Sequence, residues 1–201
     1  RKKMYERKPA REEGYRILVP VKDEESAFKL ASFARDVAKE KDGTILFLSV
    51  ITLPEQTPFS AADEYLPEKQ EFIHRLIDSV DVPAGGIIKV SRSGPDTILD
   101  TVEEEESNML VMGWRGRTFR KDVVLGSTID PLLLKAPCDV VVARFEADRD
   151  WKDMKSILLP TAGGPHAILA SEMARSLARK EKGIVTMLNV GSSDEDRKGA
   201  T

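Results

Sequence analysis

A single cysteine in 201 residues, Cys138, rules out an internal disulfide and any cysteine-based metal cluster. Between Pro137 and an apolar run, it reads as a small buried residue. Long apolar runs are also missing. The longest, residues 45–53 and 139–143, fall far short of the roughly 20 residues a membrane-spanning helix needs. Neither sign of charge dominates: 31 Lys and Arg face 34 Asp and Glu, and a net charge of −3 gives no field to draw in a nucleic acid. No apolar segment follows the charged N-terminus, so no signal peptide is expected. The sequence has no GxxxxGK[ST] motif and no GxGxxG after a strand, which leaves phosphoryl transfer and dinucleotide redox chemistry without a motif. His74 and His166 stand apart and read as a surface residue and a helix-start residue, not as metal ligands. Glu103 to Glu106 read as a solvated face. With 41% apolar and 32% charged residues, the composition is that of a soluble globular chain, expected in the cytoplasm.

The first eleven residues are unlike the rest. Six cations (Arg1, Lys2, Lys3, Arg7, Lys8 and Arg11) accompany one anion, Glu6, and residue 1 is Arg, not Met. Residues 1–14 therefore read as a basic leader. It is either a solvated tail or a juxtamembrane segment lying beside anionic headgroups, after a membrane helix that precedes it.

From Tyr15 onward, short apolar runs alternate with amphipathic stretches. Residues 16–21, 44–50, 87–90, 109–112 and 139–143 read as buried strands, and residues 26–41, 68–80, 95–106 and 127–135 as helices. Residues 51–66, with Pro54 and Pro58, read as a long loop. Gly43 reads as the stop of the first helix. Such alternation predicts an α/β fold over residues 15–145, an open parallel five-stranded sheet covered by helices on both faces.

After a charged linker at 146–155, which holds Trp151, the pattern starts again. Set against itself at an offset of 140, the chain gives ten identities over the 34 positions from Ile17 to Val50, where chance gives about two. Residues 156–201 are thus a partial second copy, strand–helix–strand, ending in a polar tail. A unit this small cannot bury a core alone, and it is expected to be ordered only against the first domain or a partner chain.

The segment from Met112 to Thr128 can carry chemistry. Gly113, Gly116 and Gly126 punctuate a strand-to-helix loop, and Ser127 and Thr128 stand where the helix begins. Glycines admit an anion close to the backbone, the two hydroxyls and the helix N-terminus can donate to a phosphate, and Arg115, Arg117, Arg120 and Lys121 add charge. An ordinary strand-to-helix loop with Ser127 as the cap reads the same residues equally well.

A strand ending in Met112-Gly113, then G-x2-G-x9-G-S/T, then a helix closing in APCDVVVAR, resembles the signature of the universal stress protein family. The strand and helix order of residues 15–145 is similar throughout. The resemblance implies that Gly113, Gly116, Gly126, Ser127 and Thr128 hold the phosphates and ribose of ATP or another nucleotide. The candidate site is Pro20, Lys22, Val50, Met112, Gly113, Arg115, Gly116, Gly126, Ser127 and Thr128, with no catalytic residue among them. Lys22 stands where the family's strand runs into an adenine-contacting Asp, and a lysine offers donors only. ATP is therefore expected to bind weakly, with little preference over GTP and without hydrolysis.

The second copy, ILLPTAGGPHAILASEMARSLA, resembles the start of a second such domain appended to transporters of the amino acid–polyamine–organocation superfamily, amino-acid permeases and cation–chloride cotransporter relatives. That resemblance implies a non-enzymatic regulatory domain at the cytoplasmic face of the cell membrane, with an upstream transmembrane domain in the same polypeptide. A free-standing tandem stress protein that binds ATP is the alternative. In the family the fifth strand pairs with its counterpart, so a homodimer through residues 139–143 is expected.

Overall fold

The apolar runs form the middle of a sheet. The computed structural model describes residues 1–10, 14–116, 125–146 and 155–189. In it, Ile17, Leu18 and Val19 of strand β2 (Arg16–Val21) and Ile45, Phe47 and Leu48 of β3 (Thr44–Thr52) are fully buried. Strands buried on both faces need cover on both sides. Helix α1 (Glu24–Lys41) supplies it on one face through Ala27, Leu30, Ala31, Ala34, Val37 and Ala38, joined by α2 (Leu66–Asp78). Helices α3 (Gly94–Glu104) and α4 (Ile129–Lys135) pack together on the other. With β4 (Ala84–Ser91), β5 (Met109–Gly113) and β6 (Asp139–Ala143), the five strands run parallel in the order β4-β3-β2-β5-β6. The α/β fold expected from the alternation is present. The stretch read as a loop holds a short 3-10 turn at Phe59–Glu64.

The sheet has a sixth strand. Lys2–Arg7 forms β1, antiparallel to β4, so half of the basic leader is an edge strand and not a solvated tail. Its signal is not hydrophobic, because what it satisfies is the open row of β4 backbone groups. Gly85 makes room: a Cβ there would stand 2.5 Å from the Arg7 carbonyl oxygen and 2.8 Å from the Pro9 ring. Tyr5 adds a side-chain anchor, its hydroxyl 2.6 Å from Nε2 of His74 and its ring edge-on to the imidazole. Arg11 lies outside the described residues.

The chain divides into two units, Arg1–Phe145 and Glu146–Thr201. In the second, β7 (Ser156–Pro160), α5 (Pro165–Glu181) and β8 (Ile184–Leu188) repeat the β2–α1–β3 unit. The register repeats too. Ser156 pairs with Ile184 and Pro160 with Leu188, as Arg16 pairs with Thr44 and Pro20 with Leu48, each 140 residues earlier. Burial does not repeat: Leu158 and Met187 are each 62% exposed, whereas their counterparts Leu18 and Phe47 are fully buried. Among the described residues of this unit, one helix covers one face of a two-stranded sheet. Trp151 with most of the linker, and residues 190–201, lie outside the described residues.

Candidate functional site

The order of the strands fixes where a ligand would sit. From β2 the chain builds outward through β3 to β4, then crosses back over β2 to place β5 and β6 on its other side. Loops leaving β2 and β5 diverge at their carboxyl ends, and such a divergence opens a crevice in parallel α/β sheets.

From the β2 side, Pro20 is half-buried and Lys22 is exposed. Asp23 then caps α1, its Oδ1 accepting from the Ser26 N–H at 3.2 Å and the Ser26 hydroxyl at 3.1 Å. From the β5 side, Met112 is buried, packed with the partly buried Val50 around Leu18 and Leu48. Arg115 reaches across, its Nη2 2.7 Å from Asp23 Oδ2. Burial raises the Asp23 pKa, but hydrogen bonds from the Ser26 N–H, Arg115 and the Ser26 hydroxyl, with the Arg115 charge, outweigh it and hold the carboxyl below its ordinary value.

The three glycines do different work. Gly116, at φ 77°, and Gly126, at φ 136°, take conformations that disfavour any side chain. A Cβ on Gly116 would also stand 2.8 Å from Nε of Arg144, whose guanidinium lies over the Trp114 ring at 5.7 Å. Gly113 is different. Its missing Cβ leaves room for Leu30 of α1, at 3.2 Å, so it serves helix packing. Ser127 is not the helix cap. Helix α4 starts at Ile129 after Thr128, neither end hydroxyl caps it, and the turn is closed by Asp130, whose Oδ1 accepts from the Leu125 N–H at 2.9 Å. Ser127 and Thr128 are exposed. At seven residues the helix has little dipole to offer, so charge here comes from side chains. Arg117, Arg120 and Lys121 lie outside the described residues.

The loop motif does not point to Asp23, Trp114 or Arg144, although the cations carry a sequence signal. Lys22, Arg92 and Arg144 each follow directly on the last residue of β2, β4 and β6, and Arg115 comes two residues after β5. Of these, Arg92 is spent on structure: it donates to the carbonyls of Pro54 and Thr57 and lies 4.6 Å over the Phe59 ring, fastening the loop after β3. Lys22, Arg115 and Arg144 stand just past the carboxyl ends of β2, β5 and β6, with Asp23 paired to Arg115 among them, a cationic bias suited to an anionic ligand. Among the described residues no three His, Cys, Asp or Glu side chains gather as a metal site. At the Lys22 and Asp23 positions the second unit has Ala162 and Gly163, whereas Pro20 keeps its counterpart in Pro160.

Comparison with known proteins agrees with this reading of the fold. The universal stress protein family matches residues 15–144. A universal stress protein from Archaeoglobus fulgidus superposes with a TM-score of 0.63 at 21% identity, over 92% of this chain and 70% of that one. Another structure from the same organism, a universal stress protein in complex with dAMP, superposes with a TM-score of 0.51 at 21% identity, over 64% of this chain and 96% of that one. Among curated sequences, the Na(+)/H(+) antiporter NhaS5 of Synechocystis is 22% identical over 187 residues, which is 90% of this chain and 26% of the antiporter. The chain thus spans about a quarter of that relative, a sodium–proton antiporter and not the amino-acid permease expected from the second copy. No helix among the described residues is long and apolar enough to cross a membrane. The family match over residues 15–144, well over half of the chain, makes this chain a member of the universal stress protein family.

Proposed function

We propose that residues 15–144 are a non-enzymatic receptor for a phosphate-bearing nucleotide, bound at the carboxyl ends of β2 and β5, and that the chain regulates a membrane transport protein at its cytoplasmic face. The observation that carries the binding half is the rim: Lys22, Arg115 and Arg144 around a crevice whose loop turns at two positive-φ glycines. That an Archaeoglobus relative is known in complex with dAMP supports a nucleotide as the ligand class. Lys22 offers no acceptor to a base, so the reading favours phosphate and sugar over base recognition. A free-standing stress protein that binds ATP is the second reading of the same site.

Support for a transporter partner comes from the antiporter relative, whose likeness extends through both units. An amino-acid permease as that partner rests only on the likeness of the second copy. Self-association through β6 belongs to the same proposal. Strand β6 pairs only with β5 among the described residues, and Val140, Val141 and Val142 remain partly exposed. Calorimetric titration with ATP, GTP and AMP tests the binding half. Weak binding without ATP-over-GTP preference, no release of phosphate, and loss of all heat in Gly126→Val are expected. Tight adenine-selective binding contradicts the Lys22 reading, and binding that survives Gly126→Val contradicts the location. A parent reading frame with no membrane-spanning helices, together with no binding to a transporter, contradicts the regulatory half.

A further inference from the structure

We infer that Asp23 and Arg115 form a clasp across the crevice that a phosphate opens, and that the Asp23 oxygen so released selects a phosphate carried on a sugar over a bare phosphate. The inference rests on the nucleotide-receptor reading above and concerns how its site discriminates.

Each Asp23 oxygen has its own task. Oδ1 is committed to the start of α1, through the Ser26 N–H and hydroxyl, whereas among the described residues Oδ2 holds Arg115 alone, at 2.7 Å. The Arg115 side chain is 74% exposed. An ion pair this exposed is weak and easily exchanged. A phosphate dianion presents more charge and two oxygens to the guanidinium fork, so it competes well for Arg115. Lys22, adjacent in the chain and exposed, adds charge at the same mouth. Once Arg115 turns to the phosphate, Oδ2 is left as a carboxylate acceptor at the crevice. A sugar hydroxyl on the same ligand can donate to it from a distance, whereas the P–OH of a bare hydrogen phosphate can donate only by bringing the phosphate charge against the carboxylate. The cap made by Oδ1 is untouched by the exchange, so α1 need not move. The second unit supplies a comparison within the chain: Gly163 replaces Asp23 there and no clasp can form.

The test uses the full chain, titrated with inorganic phosphate, ribose 5-phosphate, AMP and GMP, in wild type and in Asp23→Asn and Arg115→Gln. Asn retains a capping oxygen, so helix α1 keeps its start. Ribose 5-phosphate is expected to bind wild type more tightly than phosphate does, and AMP and GMP to bind alike. In Asp23→Asn, phosphate affinity should rise about two- to fivefold, as expected for losing a weak exposed competitor. The preference for ribose 5-phosphate over phosphate should fall by about tenfold, the value of a charge-assisted hydrogen bond. Arg115→Gln should weaken all four ligands. If the four ligands bind wild type but Asp23→Asn leaves both the phosphate affinity and the preference unchanged, the clasp is wrong and the receptor reading stands. If none of the four binds any form of the protein, both fall.

Discussion

Asp42 and Lys182, 140 residues apart, occupy one position in two copies of the same helix end. Both are left-handed, at φ 49° and 52°, and in each case the following glycine donates its N–H to an alanine carbonyl five residues earlier at 2.7 Å, Gly43 to Ala38 and Gly183 to Ala178. That is the six-to-one bond of a Schellman cap. The glycines stand one place beyond the left-handed residue, and close approach is what requires them. A Cβ on Gly43 would lie 2.7 Å from the Tyr15 carbonyl oxygen, and one on Gly183 would lie 3.0 Å from that of Lys155. Gly43→Ala should therefore cost about 1–3 kcal/mol, as overpacking does, in urea denaturation of the first unit. An unchanged midpoint would show that the strand entry at Tyr15 yields.

Asp23 should make stability depend on acid. Its folded pKa lies below the ordinary 3.8, so its contribution is fully present above that value and is lost as pH falls through the lowered folded value. Asp23→Ala should cost about 1 kcal/mol at pH 7, the usual worth of a helix cap. Near pH 2 the difference between variant and wild type should shrink, and a constant difference across that range would remove the carboxylate from the account.

Lys89 is a buried ammonium with two partners. It donates to the Thr101 hydroxyl at 2.8 Å and to Glu104 at 2.6 Å, and Thr101 in turn donates to the Thr97 carbonyl. Thr101→Val removes one partner and should cost about 1–3 kcal/mol. Lys89→Met, which removes the charge itself, should cost less than about 1 kcal/mol or stabilise. The reverse order in chemical denaturation would mean that the ion pair is a net source of stability.

Cys138 should be inert. Burial, then the neighbouring Asp139 charge, push its thiol up to about 11, so almost no thiolate is present at pH 7.5. A disulfide reagent should label it slowly in the native protein and at once in urea, and fast labelling of the native state would place the thiol in solvent.

Much of this fold can be read from residue type because apolar runs and their burial coincide in the first unit, as in Ile17 to Val19, whereas in the repeat the apolar run is kept without the burial, Leu158 being 62% exposed. The leader strand cannot be read this way. Lys2–Arg7 is cationic, and what draws it in is the open edge of β4 together with the missing side chain of Gly85. The site was half legible. Gly116, Gly126 and Arg115 stand out in the loop, but Asp23 lies 92 residues from Arg115, and the two meet only because the chain crosses back to lay β5 against β2. Gly113 has the spacing of a ligand-binding glycine, yet Leu30 fills the space above it. No local pattern separates those two uses of a glycine.

The central claim is that a phosphate-bearing nucleotide binds where β2 and β5 diverge. Amide chemical-shift mapping of the uniformly 15N-labelled chain during titration with AMP tests it most directly. Shifts confined to Lys22, Asp23, residues 113–116 and residues 126–128, with Ala162, Gly163 and Gly164 of the second unit unmoved, are the predicted result. No shifts at millimolar AMP, or shifts centred on residues 162–164, would contradict it.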